Sequence, residues 1–331
     1  MEASPVISVV IPCHNSAGTI ETTAASVLAQ TFPDFELILV ENGSTDRTYE
    51  LCEGLAERDG RVRVHRLEAG SANGARNLGI EVAAGRLISF LDSDDIIKPT
   101  YLAHAKQLAD AHPECGAFAI GGVLVDFHGR SSRLSRDLPT RGTKLLQFED
   151  AVRGGLMTGM TILRAEAIRG IGGFRMGLVG GDDYDLWLRI LGSGIKGVYA
   201  ASDEYEHWVH PVSRGSTRDE RAWTRHVSAL IEELRDSLGM ELTDGQRNMV
   251  LARVAKLEKQ IAAVPARRDL EDRLLRGDRR HARRDYLRAR FAYRIRSRFL
   301  LGLAVMIVSP RLFTKVVMDR RRAGFGLGGG V

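Results

Sequence analysis

The sequence predicts an α/β fold: a Rossmann-like, mostly parallel sheet flanked by helices, with a helical extension behind it. Three observations carry this expectation. Continuous β-branched runs of the kind buried on both faces alternate with loop-and-helix segments through the first hundred residues. That β-α-β-α-β-α-β rhythm implies right-handed crossovers and a doubly wound sheet. Turn-forming and acidic residues close each run, at the strand ends where such sheets gather ligands.

The elements follow in order. Val6 to Ile11 is the first buried strand, with Pro12 expected to stop its ladder. Asn15 to Thr19 forms a loop into a helix whose stripe is Ile20, Ala24, Val27 and Leu28, and Pro33 ends that helix. Leu37 to Val40 is the second strand, and Glu41-Asn42-Gly43-Ser44-Thr45-Asp46 is turn chemistry that also caps the next helix. Val62 to His65 is the third strand, followed by Gly70 to Gly74 and a small-residue helix to Ala84. Leu87 to Leu91 is the fourth. Beyond Pro99 the pattern gives a helix over Thr100 to Ala111, strands at Ala117–Val125 and Met160–Arg164, and an amphipathic helix over Asp183 to Leu191. Residues 128–148 are polar and carry no clear periodicity. From Thr217 to Arg298 the chain reads as helices punctuated at Gly239, Pro265 and Gly277.

The net charge of +5 over 331 residues hides an asymmetry. Residues 1–266 carry 29 Lys and Arg against 36 Asp and Glu; residues 267–298 carry 13 Arg against 5 acids, and residues 299–331 carry 5 basic residues against 1 acid. An acidic globule with a cationic tail points to an anionic surface as the tail's partner. Three cysteines, Cys13, Cys52 and Cys115, show no C-x-x-C spacing, which argues against a disulfide framework or zinc site and fits a reducing cytosol. No secretory leader is expected at the N-terminus. The longest uninterrupted apolar run, Phe299 to Val308, falls short of the ~20 residues that span a bilayer.

Two acidic clusters carry the chemistry. The aliphatic run Leu87 to Leu91 stops in Asp92-Ser93-Asp94-Asp95. Crowded carboxylates raise one another's pKa unless a cation lies between them. A hard divalent cation takes one or two such carboxylates and completes its shell with phosphate and water. The bland alternative is a solvated, helix-capping turn. Asp182-Asp183, after Gly180-Gly181, is the second cluster.

With these residues in hand, residues 5 to about 216 resemble an inverting glycosyltransferase of family 2, with the GT-A fold. The matching stretches are Val9-Val10-Ile11-Pro12-Cys13-His14-Asn15, Leu39 to Asp46, Ala75-Arg76-Asn77-Leu78-Gly79, Phe90 to Asp95, and Asp182-Asp183-Tyr184-Asp185-Leu186-Trp187-Leu188-Arg189. The resemblance implies that Pro12, His14 and Asn15 lie along the nucleoside of a nucleotide-diphosphate-sugar donor. Glu41, where Asp is common, accepts from the base, and Arg76 contacts the donor. Asp92 and Ser93 lie against the donor, and Asp92 and Asp94 form a D-x-D that holds Mg²⁺ or Mn²⁺. Asp183 is the expected base, with Asp182 the alternative, because one-step inversion needs a carboxylate to take the acceptor hydroxyl's proton. His207 to Ser213 is similar to a later family segment, with Trp208 where Arg is common; His210 is a metal ligand or a structural hydrogen-bonder.

The expected organisation is a catalytic domain over residues 1–216, a helical Arg-rich extension over 217–298 and a short apolar and basic tail over 299–331. Tyr286, Phe291, Tyr293 and Phe299 interleave the arginines. This predicts an amphipathic segment on an anionic membrane, on the inner face of the plasma membrane of a cytoplasmic enzyme. The acceptor is then a cell-envelope or lipid-linked saccharide. Nucleic-acid binding is not expected, since it requires no apolar run beside the charge. A solvated helix with paired charges remains the plain alternative. Two other functions compete: a non-catalytic nucleotide-sugar-binding scaffold, and a metal-dependent nucleotidyltransferase, which calls for a Gly- and Arg/Lys-rich loop after the first strand. A dehydrogenase lacks its G-x-G-x-x-G there.

Overall fold

A computed structural model describes residues 4–209, apart from 69, 127, 128, 136, 179 and 180, and residues 227–275, apart from 229, 230, 233, 237, 238 and 240. By proximity of their backbones, the described residues up to 209 and within 234–250 form one compact unit, and those within 227–232 and 251–275 belong to a second. The expected boundary near residue 216, the tail over 299–331 and His210 all lie outside the described residues.

The first unit is built on one sheet. Strands β1 (Ile7–Cys13), β2 (Phe35–Asn42), β3 (Val62–Leu67) and β4 (Leu87–Phe90) alternate with helices α1 (Ile20–Leu28), α2 (Thr48–Arg58) and α3 (Ala72–Val82). The short β5 (Ile96–Ile97) precedes α4 (Tyr101–Ala111). β6 (Ala117–Val125), β7 (Ser131–Arg133) and β8 (Thr143–Leu146) lead to α5 (Phe148–Arg153), and then to a single 3₁₀ turn, Thr158–Met160. β9 (Thr161–Arg164), α6 (Ala165–Gly170), α7 (Asp182–Gly192) and β10 (Gly197–Trp208) complete it. Spatial order is β3-β2-β1-β4-β9-β6-β10-β5, with β7 on β6 and β8 on β10.

The four strands expected from the sequence are parallel, as their helical crossovers require. Every residue of β2 is buried, because β1 and β3 cover its edges and helices its faces. The other half of the sheet is mixed: β9 runs antiparallel to both β4 and β6, and β10 is parallel to β6 but antiparallel to β5 and β8. The unpatterned stretch 128–148 supplies β7 and β8, edge strands too short and polar to show alternation.

Pro12 does not end β1, which continues to Cys13 with Pro12 opposite Val40. The Val6 and Val10 carbonyls accept from Leu87 and Leu91 on the β4 side. Pro12 has their parity, so its missing N–H faces that side, beyond the last β1–β4 pair, Val10 and Phe90. In α1, Thr23 takes a buried place on the stripe and Leu28 is only half-buried. α3 packs on β1 through Gly79, where a Cβ would lie 2.2 Å from Val10 Cγ1. In the extension, a helix α8 (Asp244–Leu275) runs on through Pro265, where a break was expected. A long helix can carry a proline at the cost of one ladder bond and a kink. Among the described residues no helix is long and apolar enough to cross a membrane.

Candidate active site

The carboxyl ends of β1, β2 and β4 point one way in a parallel sheet, so the loops that follow them share one rim. The first two are laced together. The Asn15 side chain accepts from the Thr45 N–H at 2.9 Å, and the Ser44 hydroxyl accepts from the Asn15 N–H at 3.0 Å. The Ala17 N–H donates to Asp46 at 3.1 Å, and the Ser16 N–H to the Thr48 hydroxyl at 2.7 Å. Asn15 has φ +50°, the one non-glycine with positive φ among the described residues, and asparagine tolerates that region better than most. His14 Nδ1 lies 2.8 Å from the Asn42 carbonyl. Both His14 and Asn15 are exposed on the rim, and Pro12 is half-buried behind them.

Glu41, at the end of β2, is fully buried and does not face water. Its carboxylate accepts from the Ser44 N–H at 2.5 Å and from Arg66 Nε at 3.0 Å. Burial alone raises its pKa, but these donors outweigh it and hold the group below the usual carboxylate range. Arg66 also stacks on Tyr49, its guanidinium 4.4 Å from the ring centre.

β4 delivers the first acidic cluster. Ser93 is turned into the protein: its hydroxyl meets that of Ser16 at 2.6 Å, and its carbonyl accepts from Thr23 at 3.0 Å. Asp92 and Asp94 stay half-buried. Asp95 is fully buried and accepts from the Tyr205 hydroxyl, from His207 Nδ1 at 3.2 Å and from the Trp208 N–H at 2.9 Å. Burial pushes Asp95 up against these donors, and the acids around His207 raise that imidazole to about 9 despite its own burial. Asp95 therefore fastens the D-x-D turn to β10. Tyr205 escaped the sequence reading, and His207 entered it only as part of a family segment, because no motif marks a hydrogen-bonding partner 110 or more residues away.

Arg76 joins the two clusters. It sits on the first turns of α3, whose N-cap Ser71 accepts from the Gly74 N–H at 3.1 Å. Its guanidinium donates to Asp92 Oδ1 at 2.8 Å, to Asp182 Oδ2 at 2.7 Å and to Asn73 Oδ1 at 3.1 Å, and it lies over the Phe174 ring. Its side chain is only 7 % exposed, and Nε is buried with no partner among the described residues. The acids at the end of β4 and the start of α7 thus share one site although 90 residues separate them.

On α7, Asp183 is half-buried. Burial raises its pKa first and Asp182 next, against hydrogen bonding from Thr158 and the charge of Arg76; it stands at about 6. Thr158 donates to its Oδ1 from the backbone N–H at 2.7 Å and from the hydroxyl. Leu186, Trp187 and Leu188 are core residues, and Trp187 Nε1 donates to Thr161 Oγ1 at 3.1 Å. Cys13 and Cys52, distant in sequence, are buried free thiols, and the neighbouring Cys52 together with burial pushes the Cys13 thiol up.

The donor set at Asp92 and Asp94 fits a hard divalent cation. Both are half-buried carboxylates two residues apart on one turn, and their charges act on His207 together with that of Asp95. Among the described residues, His207 is the imidazole on which these acids act, and it is bound to Asp95.

Residues 8–172 match the family model described as Glycosyl transferase family 2. The chain is 40 % identical over 160 residues to the putative teichuronic acid biosynthesis glycosyltransferase TuaG of Bacillus subtilis (strain 168), covering 48 % of this chain and 62 % of that protein. It spans about a third of the length of several other curated relatives that it matches. S. aureus TarS 1-349 in complex with UDP-GlcNAc superposes with a TM-score of 0.62 at 17 % identity, over 97 % of this chain and 92 % of that one. Mannosyltransferase PcManGT from Pyrobaculum calidifontis, in complex with GDP-Man and Mn2+, gives 0.60 at 18 % identity, over 98 % and 86 %. At such identities the two structures speak for the fold alone. On the family match, and with this topology beneath it, the chain belongs to glycosyl transferase family 2 and has the GT-A fold.

Proposed function

We propose that this chain transfers a sugar, with inversion, from a nucleotide-diphosphate-sugar to a hydroxyl acceptor. The observation that carries the reading is the Arg76 bridge, which ties Asp182, the neighbour of Asp183, to Asp92 of the D-x-D. Asp182 has its charge balanced by Arg76, whereas Asp183 has only neutral donors on Oδ1, and no hydrogen bond from a described residue reaches Oδ2. A carboxylate with a pKa near 6 is mostly ionised at neutral pH yet basic enough to take a proton. Asp183 is accordingly the base and Asp182 its positioned neighbour.

In the reaction, the acceptor hydroxyl gives its proton to Asp183 as its oxygen bonds to the anomeric carbon. The bond from that carbon to the diphosphate oxygen breaks, and the diphosphate leaves with the electron pair from the opposite face. Asp92 and Asp94, with His210 a candidate third ligand, would hold Mg²⁺ or Mn²⁺, which would supply Lewis-acid neutralisation of the departing charge. Pro12, His14, Asn15 and Glu41 line the nucleoside side; Ser93 supports the turn from behind. Arg76, whose two terminal nitrogens are engaged by Asp182 and Asp92, acts on the donor by holding Asp92 in place.

Support for the donor and metal classes comes from TarS, bound to UDP-GlcNAc, and PcManGT, bound to GDP-Man and Mn2+. The name of TuaG favours a cell-envelope saccharide as acceptor. The basic residues over 267–331 favour an anionic membrane surface as the place of work, through the extension and tail set apart from a catalytic domain ending near residue 216. The test is release of nucleoside diphosphate from UDP-GlcNAc and GDP-mannose in the presence of Mn²⁺. Asp183→Asn should lose turnover and keep UDP or GDP binding; normal turnover in that variant would sink the reading.

A further inference from the structure

Thr158 bears no ionisable group, and no motif in the sequence points to it. It is 2 % exposed, at the head of the single 3₁₀ turn before β9. Both of its donors converge on one oxygen, Asp183 Oδ1. Four residues along the same face of α7, Trp187 donates to the Thr161 hydroxyl, and that hydroxyl donates to the Met157 carbonyl at 2.7 Å. Residues 157–161 therefore hold α7 at two points one helical turn apart. Their other side meets β10: a Cβ on Gly159 would lie 2.3 Å from the Tyr205 hydroxyl, the group that donates to Asp95. One short turn thus touches the helix of the proposed base and the tyrosine that anchors the D-x-D segment.

We infer that Thr158 is a positioning residue, whose two hydrogen bonds immobilise Asp183 Oδ1 so that Oδ2 is the oxygen presented to the acceptor hydroxyl. This rests on the reading of Asp183 as the base. An unheld carboxylate rotates about its Cβ–Cγ bond and offers either oxygen in any direction, and catalysis depends on fixed geometry. The hydroxyl also donates to the ionised form and so lowers the pKa of Asp183. Among the described residues, the other charged and titratable groups acting on Asp183 are Asp182 on its own helix, Arg76 from α3, Asp92 from the end of β4 and Tyr205 from β10. None is altered by a change at residue 158.

Thr158→Val keeps the shape and the backbone donor and removes the hydroxyl; Thr158→Ala serves the same purpose if valine does not fold. With UDP-GlcNAc or GDP-mannose and Mn²⁺, kcat should fall about ten- to hundredfold, the value of one hydrogen bond to a charged group, with KM for the donor unchanged. The acidic limb of the pH–rate profile should move to higher pH. So should the Asp183 carboxyl titration followed by NMR, which needs no donor. Thr158→Ser should restore all three. If neither kcat nor the titration moves in Thr158→Val while Asp183→Asn is inactive, the positioning role is wrong and the base assignment stands. If Asp183→Asn turns over normally, it is the base assignment that fails. A Thr158→Val enzyme that loses melting temperature and rate together, with the titration unmoved, reduces Thr158 to a structural residue.

Discussion

Asp182 and Asp183 are adjacent in sequence but meet different surroundings, and Arg76 is the reason. The guanidinium takes Asp182 as a partner and leaves Asp183 to neutral donors and partial burial. A folded-state pKa raised above the unfolded value means that the ionised carboxylate costs stability at neutral pH, a cost that shrinks as pH falls below about 6 and is gone below the ordinary 3.8. Asp183→Asn should therefore melt at the same temperature as the parent or higher, while transfer falls about 10²–10⁴-fold, the usual contribution of a general base. Calorimetric melting and product assays on one preparation check both. The parent's kcat/KM should fall with an acidic limb near pH 6. Arg76→Met should act the other way: it strips two carboxylates of a buried counter-ion at a cost of about 3 kcal/mol or more, and stability and activity should fall together.

Secondary structure sets how accurately these residues are held. Arg76 rides on α3, and α3 lies close to β1 only because residue 79 has no side chain. Gly79→Ala forces a methyl group into Val10, and overpacking of this kind costs about 1–3 kcal/mol. Chemical denaturation should show that loss, and activity should drop further as Arg76 shifts with its helix. The parallel strands and the clusters that follow them were legible in the sequence, because a β-branched run ended by turn residues has one reading. β9 was legible as a strand, but its antiparallel direction was not, and the edge strands β7 and β8 were not legible at all, since partner and direction depend on which strand edges remain unpaired after the first half folds. Asp95 was legible as an acid in a cluster, but its burial under Tyr205 and His207 was not, because both partners come from β10.

Over the whole molecule, the site exists because separate segments finish at the same side of one sheet. Chelation tests the cation expected there: EDTA should abolish transfer, and added Mn²⁺ or Mg²⁺ should restore it, whereas activity indifferent to chelation would remove the metal from the proposal. High pH tests the fastening of β10 to the D-x-D turn. The pKa of His207 is raised from its ordinary value to about 9. The stability it contributes is full below pH 6.5 and is lost as pH rises through about 9. Melting temperature should fall over that interval, and His207→Gln should flatten the fall. A profile equally steep in the variant would assign the loss to other groups.

The succession of the first four strands, the acids at their ends and the family they signify were determined by the sequence alone, because buried runs, turn residues and short motifs act over a few neighbouring positions. Tertiary structure decided which acid has a counter-ion, which is walled in beneath a tyrosine and which is held by Thr158. Those outcomes depend on contacts between residues 16 to 113 positions apart, and local pattern carries no record of them.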